Sequence, residues 1–124
     1  MEKRRSKRYL KAISVRFGTH ECQHIGLTYD LSQSGLLLKS SRIFPPLTKL
    51  ILELSPSSQG KIYCEGYVQW AKQGPTALVH AIKKLGMGVF LINTPAEYNQ
   101  IIDQLGHHTE QRLSGSALVP AKLG

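Results

Sequence analysis

Three arginines within five residues, Arg4, Arg5 and Arg8, open this chain, and a D-x-S-x-x-G element, Asp30-Leu31-Ser32-Gln33-Ser34-Gly35, lies further along it. A guanidinium is a permanently charged planar fork whose N–H groups match phosphate oxygens two at a time. Its flat face also stacks on nucleobases. In an extended segment Arg4 and Arg8 point to one side and Arg5 to the other, so such an arm can embrace a compact anionic ligand. The carboxylate of Asp30 can accept from the N1–H and exocyclic amine of guanine, a donor pair that adenine lacks, and this gives base selectivity. Ser32, on the same side of an extended segment, can add a hydroxyl to base or phosphate. Gly35 can adopt a positive φ and let the backbone turn tightly against a ligand.

Each element has a plain alternative. A basic terminus can be a solvated arm, and Asp30 and Ser32 can simply bond amides of an ordinary turn. The ordering of a mobile arm costs roughly 1–2 kcal/mol per residue in backbone entropy. Charge-assisted hydrogen bonds of about 1.5–3 kcal/mol each offset that only for a highly charged ligand. The two elements together therefore point to binding of an anionic guanine nucleotide, not to catalysis.

The chain around these residues has 124 residues, enough for one core and too few for two domains. Its formal net charge is +8. Lys3, Arg4, Arg5, Lys7, Arg8 and Lys11 are opposed locally only by Glu2, so the positive field belongs to the arm and attracts polyanions in general. No apolar run approaches the ~20 residues needed to cross a bilayer. The charged N-terminus lacks the apolar segment of a secretory signal. Cys22 and Cys64 are too few for a disulfide framework and read as reduced and buried. A cytoplasmic protein is expected.

Period-two alternation dominates the middle of the sequence. Ile13, Val15 and Phe17 mark one strand, and Ile25, Leu27 and Tyr29 share one face of the next. Leu36-Leu37-Leu38 enters a third strand after the turn, and Leu50, Leu52 and Leu54 mark a fourth beyond Pro45-Pro46. Ile62, Cys64, Gly66, Val68 and Trp70 form the longest alternation, with Gly66 placed for a bulge or barrel bend. After Gln73-Gly74-Pro75 come two further runs, Leu78 to Ile82 and Met87 to Ile92. Thr94-Pro95-Ala96-Glu97 predicts an N-cap, a first-turn proline and a capping-box glutamate. Tyr98, Ile101, Ile102 and Leu105 then make one apolar helical stripe, ended by Gly106. The expected architecture is mainly β, an antiparallel barrel or sandwich with a C-terminal helix.

At this point the sequence resembles the PilZ domain, the bacterial receptor module for cyclic di-GMP, whose pattern is R-x-x-x-R followed by D/N-x-S-x-x-G. Here those are Arg4 to Arg8 and Asp30 to Gly35, with Arg5 matching the frequent double arginine. Glu65 to Trp70 is similar to the family's central strand, and Gly86-Met87-Gly88-Val89-Phe90 to its late glycine–valine strand. The resemblance covers about the first hundred residues, in line with the size of one domain. It implies a six-stranded antiparallel β-barrel with a C-terminal α-helix, and an arginine arm that folds over bound cyclic di-GMP. Carried onto this chain, Arg4, Arg5 and Arg8 would hold phosphates and stack on guanines, Asp30 and Ser32 would read a guanine edge, and Gly35 would shape the turn. The expected organisation is a flexible basic arm over residues 1–12, the barrel and helix over 13–106, and a tail over 107–124. The stretch Gln73 to Leu85 is longer than the connection the resemblance implies.

The remaining constellations carry less. His20, Cys22 and His24 are metal-ligand types, but neighbouring strand positions on one face are nearly 7 Å apart, awkward for a tetrahedral site, so no metal is expected. Trp70 is expected in the core or as a barrel lid, and Tyr9 either flanks a base or anchors the arm. No nucleophile, metalloprotease or phosphate-loop motif is present, so no enzyme activity and no cofactor are expected. The expectation is a cyclic di-GMP receptor that signals to a downstream protein or through self-association, as a monomer or homodimer. The competing readings are non-specific binding of RNA or single-stranded DNA, which salt would weaken steeply, and a protein adaptor of the same fold with little nucleotide affinity.

Overall fold

The computed structural model describes residues 7–57 and 59–107, so Arg4, Arg5 and the segment 108–124 lie outside the described residues. The strands are β1 (Tyr9–Leu10), β2 (Ser14–Gly18), β3 (His24–Leu31), β4 (Gly35–Lys39), β5 (Lys49–Ser55), β6 (Ile62–Lys72) and β7 (Gly86–Ile92). A helix, α1, occupies residues 96–107. All pairings are antiparallel, in the order β3-β2-β5-β6-β7-β4, and β4 pairs back onto β3. The result is the expected closed six-stranded barrel, which leaves no long unpaired edge. The two-residue β1 is added beside β2 on β3, with Tyr9 opposite Leu31 and Leu10 opposite Asp30. The last part of the arm expected to be flexible is thus seated on the barrel, directly beside the D-x-S-x-x-G turn.

Alternation places Val15 and Phe17 of β2, Leu50, Leu52 and Leu54 of β5, and Ile62 of β6 inside the barrel, each at most 2% exposed. Helix α1 closes one end by burying Tyr98, Ile101 and Ile102, each contributing roughly 1.5–3 kcal/mol. The expected capping box is not what begins it. The Thr94 hydroxyl donates to Asn99 Oδ1, and the first turn instead forms on the Pro95 carbonyl, which accepts from the amides of Tyr98 and Asn99. Nor does Gly106 end it, since residue 107 is still helical. Gly106 instead makes room for the Tyr9 phenol, whose oxygen lies 2.8 Å from where a Cβ would be. Tyr9 therefore anchors the arm.

Two expectations are corrected, for Trp70 and for Leu78 to Ile82. Ile25, Leu27 and Tyr29 share a face of β3 as expected, and it is the outer one, with Ile25 70% exposed. The inner positions are Gly26 and Thr28, and the Thr28 hydroxyl donates to Lys11 O and accepts from Ile13 N. Trp70 is not in the core: the β6–β7 register shifts between Val68 and Trp70, turning the indole outward, 40% exposed. Gly66, placed for a bulge or a barrel bend, is in register with both neighbouring strands, and the irregularity of β6 falls after Val68 instead. Finally, Leu78 to Ile82 is not a strand. A short 3-10 turn, Thr76–Leu78, is followed by further turns, because the Pro75 and Leu78 carbonyls accept from Leu78, Ala81 and Ile82 amides. This loop packs on the end of β4, where Lys39 donates to the carbonyls of Ile82, Lys83 and Leu85.

Candidate functional site

The D-x-S-x-x-G turn is built from its own hydrogen bonds. Ser32 N donates to Gly35 O at 2.8 Å, closing the turn, and Ser34 O accepts from Leu91 N, tying it to β7. The Ser32 hydroxyl is fully buried and accepts from the amides of Ser34 and Gly35 at 3.3 and 3.2 Å. Gly35 is needed for a different reason from the one expected. Gly86 is the glycine with positive φ among the described residues, while a Cβ on Gly35 would lie 2.3 Å from Val89 O. The missing side chain lets β4 run hard against β7.

Tyr98 supports the turn from below. Its phenol donates to Ser32 O at 2.7 Å, with Gly35 O at 3.3 Å, and the ring is completely buried. Burial raises the phenol pKa well above the ordinary value, so it stays a donor. In the sequence Tyr98 is only one position of an apolar stripe, and nothing there distinguishes its hydroxyl.

The two sequence motifs meet at Arg8. Its Nε and Nη2 donate to Asp30 Oδ1 at 2.9 and 2.6 Å, and Nη1 approaches the Ser32 hydroxyl at 3.5 Å. The Asp30 side chain is 6% exposed and that of Arg8 46%, so the pair bridges interior and surface. β1 sets this geometry, since Leu10 opposite Asp30 places Arg8 two residues back beside the turn. Of the expected site residues, Arg8, Asp30, Ser32 and Gly35 are brought together, and Arg4 and Arg5 lie outside the described residues.

Arg8, Asp30 and Gly35 line a cleft of about 790 Å³ together with Trp70, Lys83 and Phe90. That volume is within the ~300–1,000 Å³ of small-molecule sites. The Trp70 indole lies flat over Gly88, with Nε1 2.1 Å from the position a Cβ would take. Trp70, Lys83 and Phe90 were missed by sequence reasoning. The first and last were hidden by the register shift and by outward placement on β7, and Lys83 sits in a loop with no period. The cleft thus offers a cationic fork, a carboxylate, an ammonium and exposed aromatic faces, a set suited to an anionic aromatic ligand. The histidine–cysteine cluster has no such convergence: His20 and Cys22 lie in the β2–β3 connection, and His24 packs between Phe17 and Phe44.

Among solved structures, the chain is similar to the Bacillus subtilis inhibitor of motility MotI/DgrA, with a TM-score of 0.65 and 17% identity over 92% of this chain. It spans about half of that protein, 53% of its length. Comparison with curated protein sequences gives no match. The PilZ domain profile matches residues 2–106, which include both motifs, the barrel and most of α1. The chain therefore belongs to the PilZ domain family, the receptor family for cyclic di-GMP.

Proposed function

We propose that this chain is a cyclic di-GMP receptor and that the cleft between Arg8 and Trp70 is its binding site. One observation carries the reading: Arg8 and Asp30, 22 residues apart in sequence, form a single ion pair at the lip of the cleft. In this reading the guanine edge replaces Arg8 on Asp30, and the released guanidinium turns to a phosphate. One ion pair is exchanged for two sets of charge-assisted bonds, each contributing about 1.5–3 kcal/mol. Ser32 acts by holding the turn that presents Asp30, since its hydroxyl is already engaged there. Trp70 and Phe90 offer faces for the bases, and Arg4 and Arg5 join from the arm. The rearranged arm makes a new surface beside β1 for a downstream protein. PilZ domains are receptor domains and not enzymes, and among the described residues no helix is long and apolar enough to cross a membrane.

The test is calorimetric titration of the full chain with cyclic di-GMP and with its adenine analogue. Saturable binding of the guanine compound at micromolar ligand, with rejection of the adenine compound, is expected. Absence of saturable heat rejects the reading, and base-independent, strongly salt-sensitive binding of RNA favours a nucleic-acid-binding barrel instead.

A further inference from the structure

Lys39, at the end of β4, is 1% exposed, and its ammonium donates three hydrogen bonds into one loop segment: to Ile82 O at 2.5 Å, Lys83 O at 2.7 Å and Leu85 O at 2.6 Å. An ammonium has three N–H donors and no acceptor, so all of its hydrogen-bonding capacity fixes this segment. A leucine, as at the three preceding positions, would hold the loop by contact alone. The lysine instead fixes the carbonyls of Ile82, Lys83 and Leu85, and Lys83 is one of the residues that line the cleft.

The charges in this corner are unbalanced. The ammoniums of Lys39 and Lys83 lie over the same Tyr29 ring, 5.4 and 5.9 Å from its centroid. Among the described residues Lys83 pairs with no carboxylate, and Asp30 is already taken by Arg8. Burial lowers the pKa of Lys39, the Asp30 carboxylate opposes that shift and Lys83 reinforces it. Two like charges over one ring are relieved by an anion entering the cleft beside Lys83.

We propose that Lys83 is a second cationic anchor of the cleft, a phosphate-binding residue outside both sequence motifs, and that Lys39 is the positioning residue that holds it there. This rests on the reading of the cleft as a cyclic dinucleotide site. With Arg8 and Lys83 both lining the cleft, a ligand with two separated phosphates meets two cations, and a mononucleotide phosphate only one.

Titration of the full chain with cyclic di-GMP tests it, using Lys83→Gln, Lys83→Arg, Lys84→Gln, Lys39→Met and the double variant Lys39→Met/Lys83→Gln. Lys83→Gln is expected to weaken binding about tenfold, equal to about 1.4 kcal/mol, and Lys83→Arg to restore most of it. Lys84, exposed and away from the cleft, should be neutral. Lys39→Met should weaken binding like Lys83→Gln, and the double variant should be no weaker than Lys83→Gln alone. Binding by Lys83→Gln within twofold of wild type overturns the anchor, as does an equal loss in Lys84→Gln, which would reduce the effect to net charge. Losses that multiply in the double variant overturn the positioning role. Should Lys39→Met not fold, nitrogen-resolved NMR of the unaltered chain still tests it: a slowly exchanging lysine ammonium signal is expected, and its absence overturns the role of Lys39. Wild type that fails to bind rejects the cleft itself, an outcome distinct from binding that ignores Lys83.

Discussion

Arg8 places two of its N–H groups on a single oxygen of Asp30, at 2.9 and 2.6 Å, so one carboxylate oxygen holds the arm while the other remains free of it. The two halves of the proposed site are therefore partners before they are ligand contacts. A guanine edge, which takes both oxygens of Asp30, competes with Arg8, and a ligand that draws Arg8 away frees Asp30. Strong coupling between the two positions follows.

Arg8→Ala and Asp30→Ala are each expected to weaken cyclic di-GMP binding roughly ten- to a hundredfold, from the loss of one charge-assisted set of bonds. Their combination should exceed the product of the two losses, because each single variant is spared the cost of breaking the pair and the double variant is spared it only once. Arg8→Ala also leaves a nearly buried carboxylate unpaired, and because Arg8 is half exposed the stability cost is about 1–2 kcal/mol. Calorimetry and urea unfolding measure both. Losses that multiply in full would show that the pair does not act as a unit.

Gly35 and Gly88 separate folding from binding. A Cβ at Gly35 meets backbone, Val89 O at 2.3 Å, so Gly35→Ala should cost more than about 2 kcal/mol or prevent folding, as forced overpacking does. A Cβ at Gly88 meets the Trp70 indole, which is partly exposed and can swing away. Gly88→Ala should therefore fold, shift the fluorescence of the single tryptophan to longer wavelength, and weaken ligand binding. A wild-type emission spectrum in folded Gly88→Ala would contradict the stacking geometry.

Tyr98→Phe removes the donor to Ser32 O and Gly35 O and leaves the ring in place. With two buried carbonyls losing that donor, about 1–2 kcal/mol of stability should be lost in urea unfolding. Ligand affinity should also fall several-fold, although Tyr98 does not itself line the cleft. Unchanged affinity would mean that the turn keeps its shape without this support.

Alkaline pH should destabilise the fold through Cys64 and Tyr98. Burial pushes the Cys64 thiol from an ordinary 9.0 up to about 12, and the Tyr98 phenol is raised as well, chiefly by burial. The folded chain therefore keeps protons that the unfolded chain releases. The Cys64 contribution is fully present below pH 9 and is lost as pH rises towards 12. Thermal melts from pH 7 to pH 10.5 should show a midpoint that falls above about pH 9, and less steeply in Cys64→Ala. At pH 8 a thiol reagent should label the half-buried Cys22 first and Cys64 only on unfolding.

Much of this protein is written locally. Alternation at Val15 and Phe17, at Leu50 to Leu54 and at Ile62 to Val68 determines which strand faces build the barrel, since side-chain direction repeats every two residues. The apolar stripe from Tyr98 to Leu105 determines α1 in the same way, and the types and spacing of Arg8, Asp30, Ser32 and Gly35 identify the motifs. What local sequence does not contain is the partner across the sheet. Gly35 is glycine because β7 passes 2.3 Å from its Cβ position, and Trp70 faces the cleft because the register slips after Val68. Lys39 is tolerated in the interior because three carbonyls more than forty residues away meet its ammonium. Each of these depends on a separation in space that no periodicity encodes, so only the closed barrel turned two recognisable motifs into one cleft and added Trp70 and Lys83 to its walls.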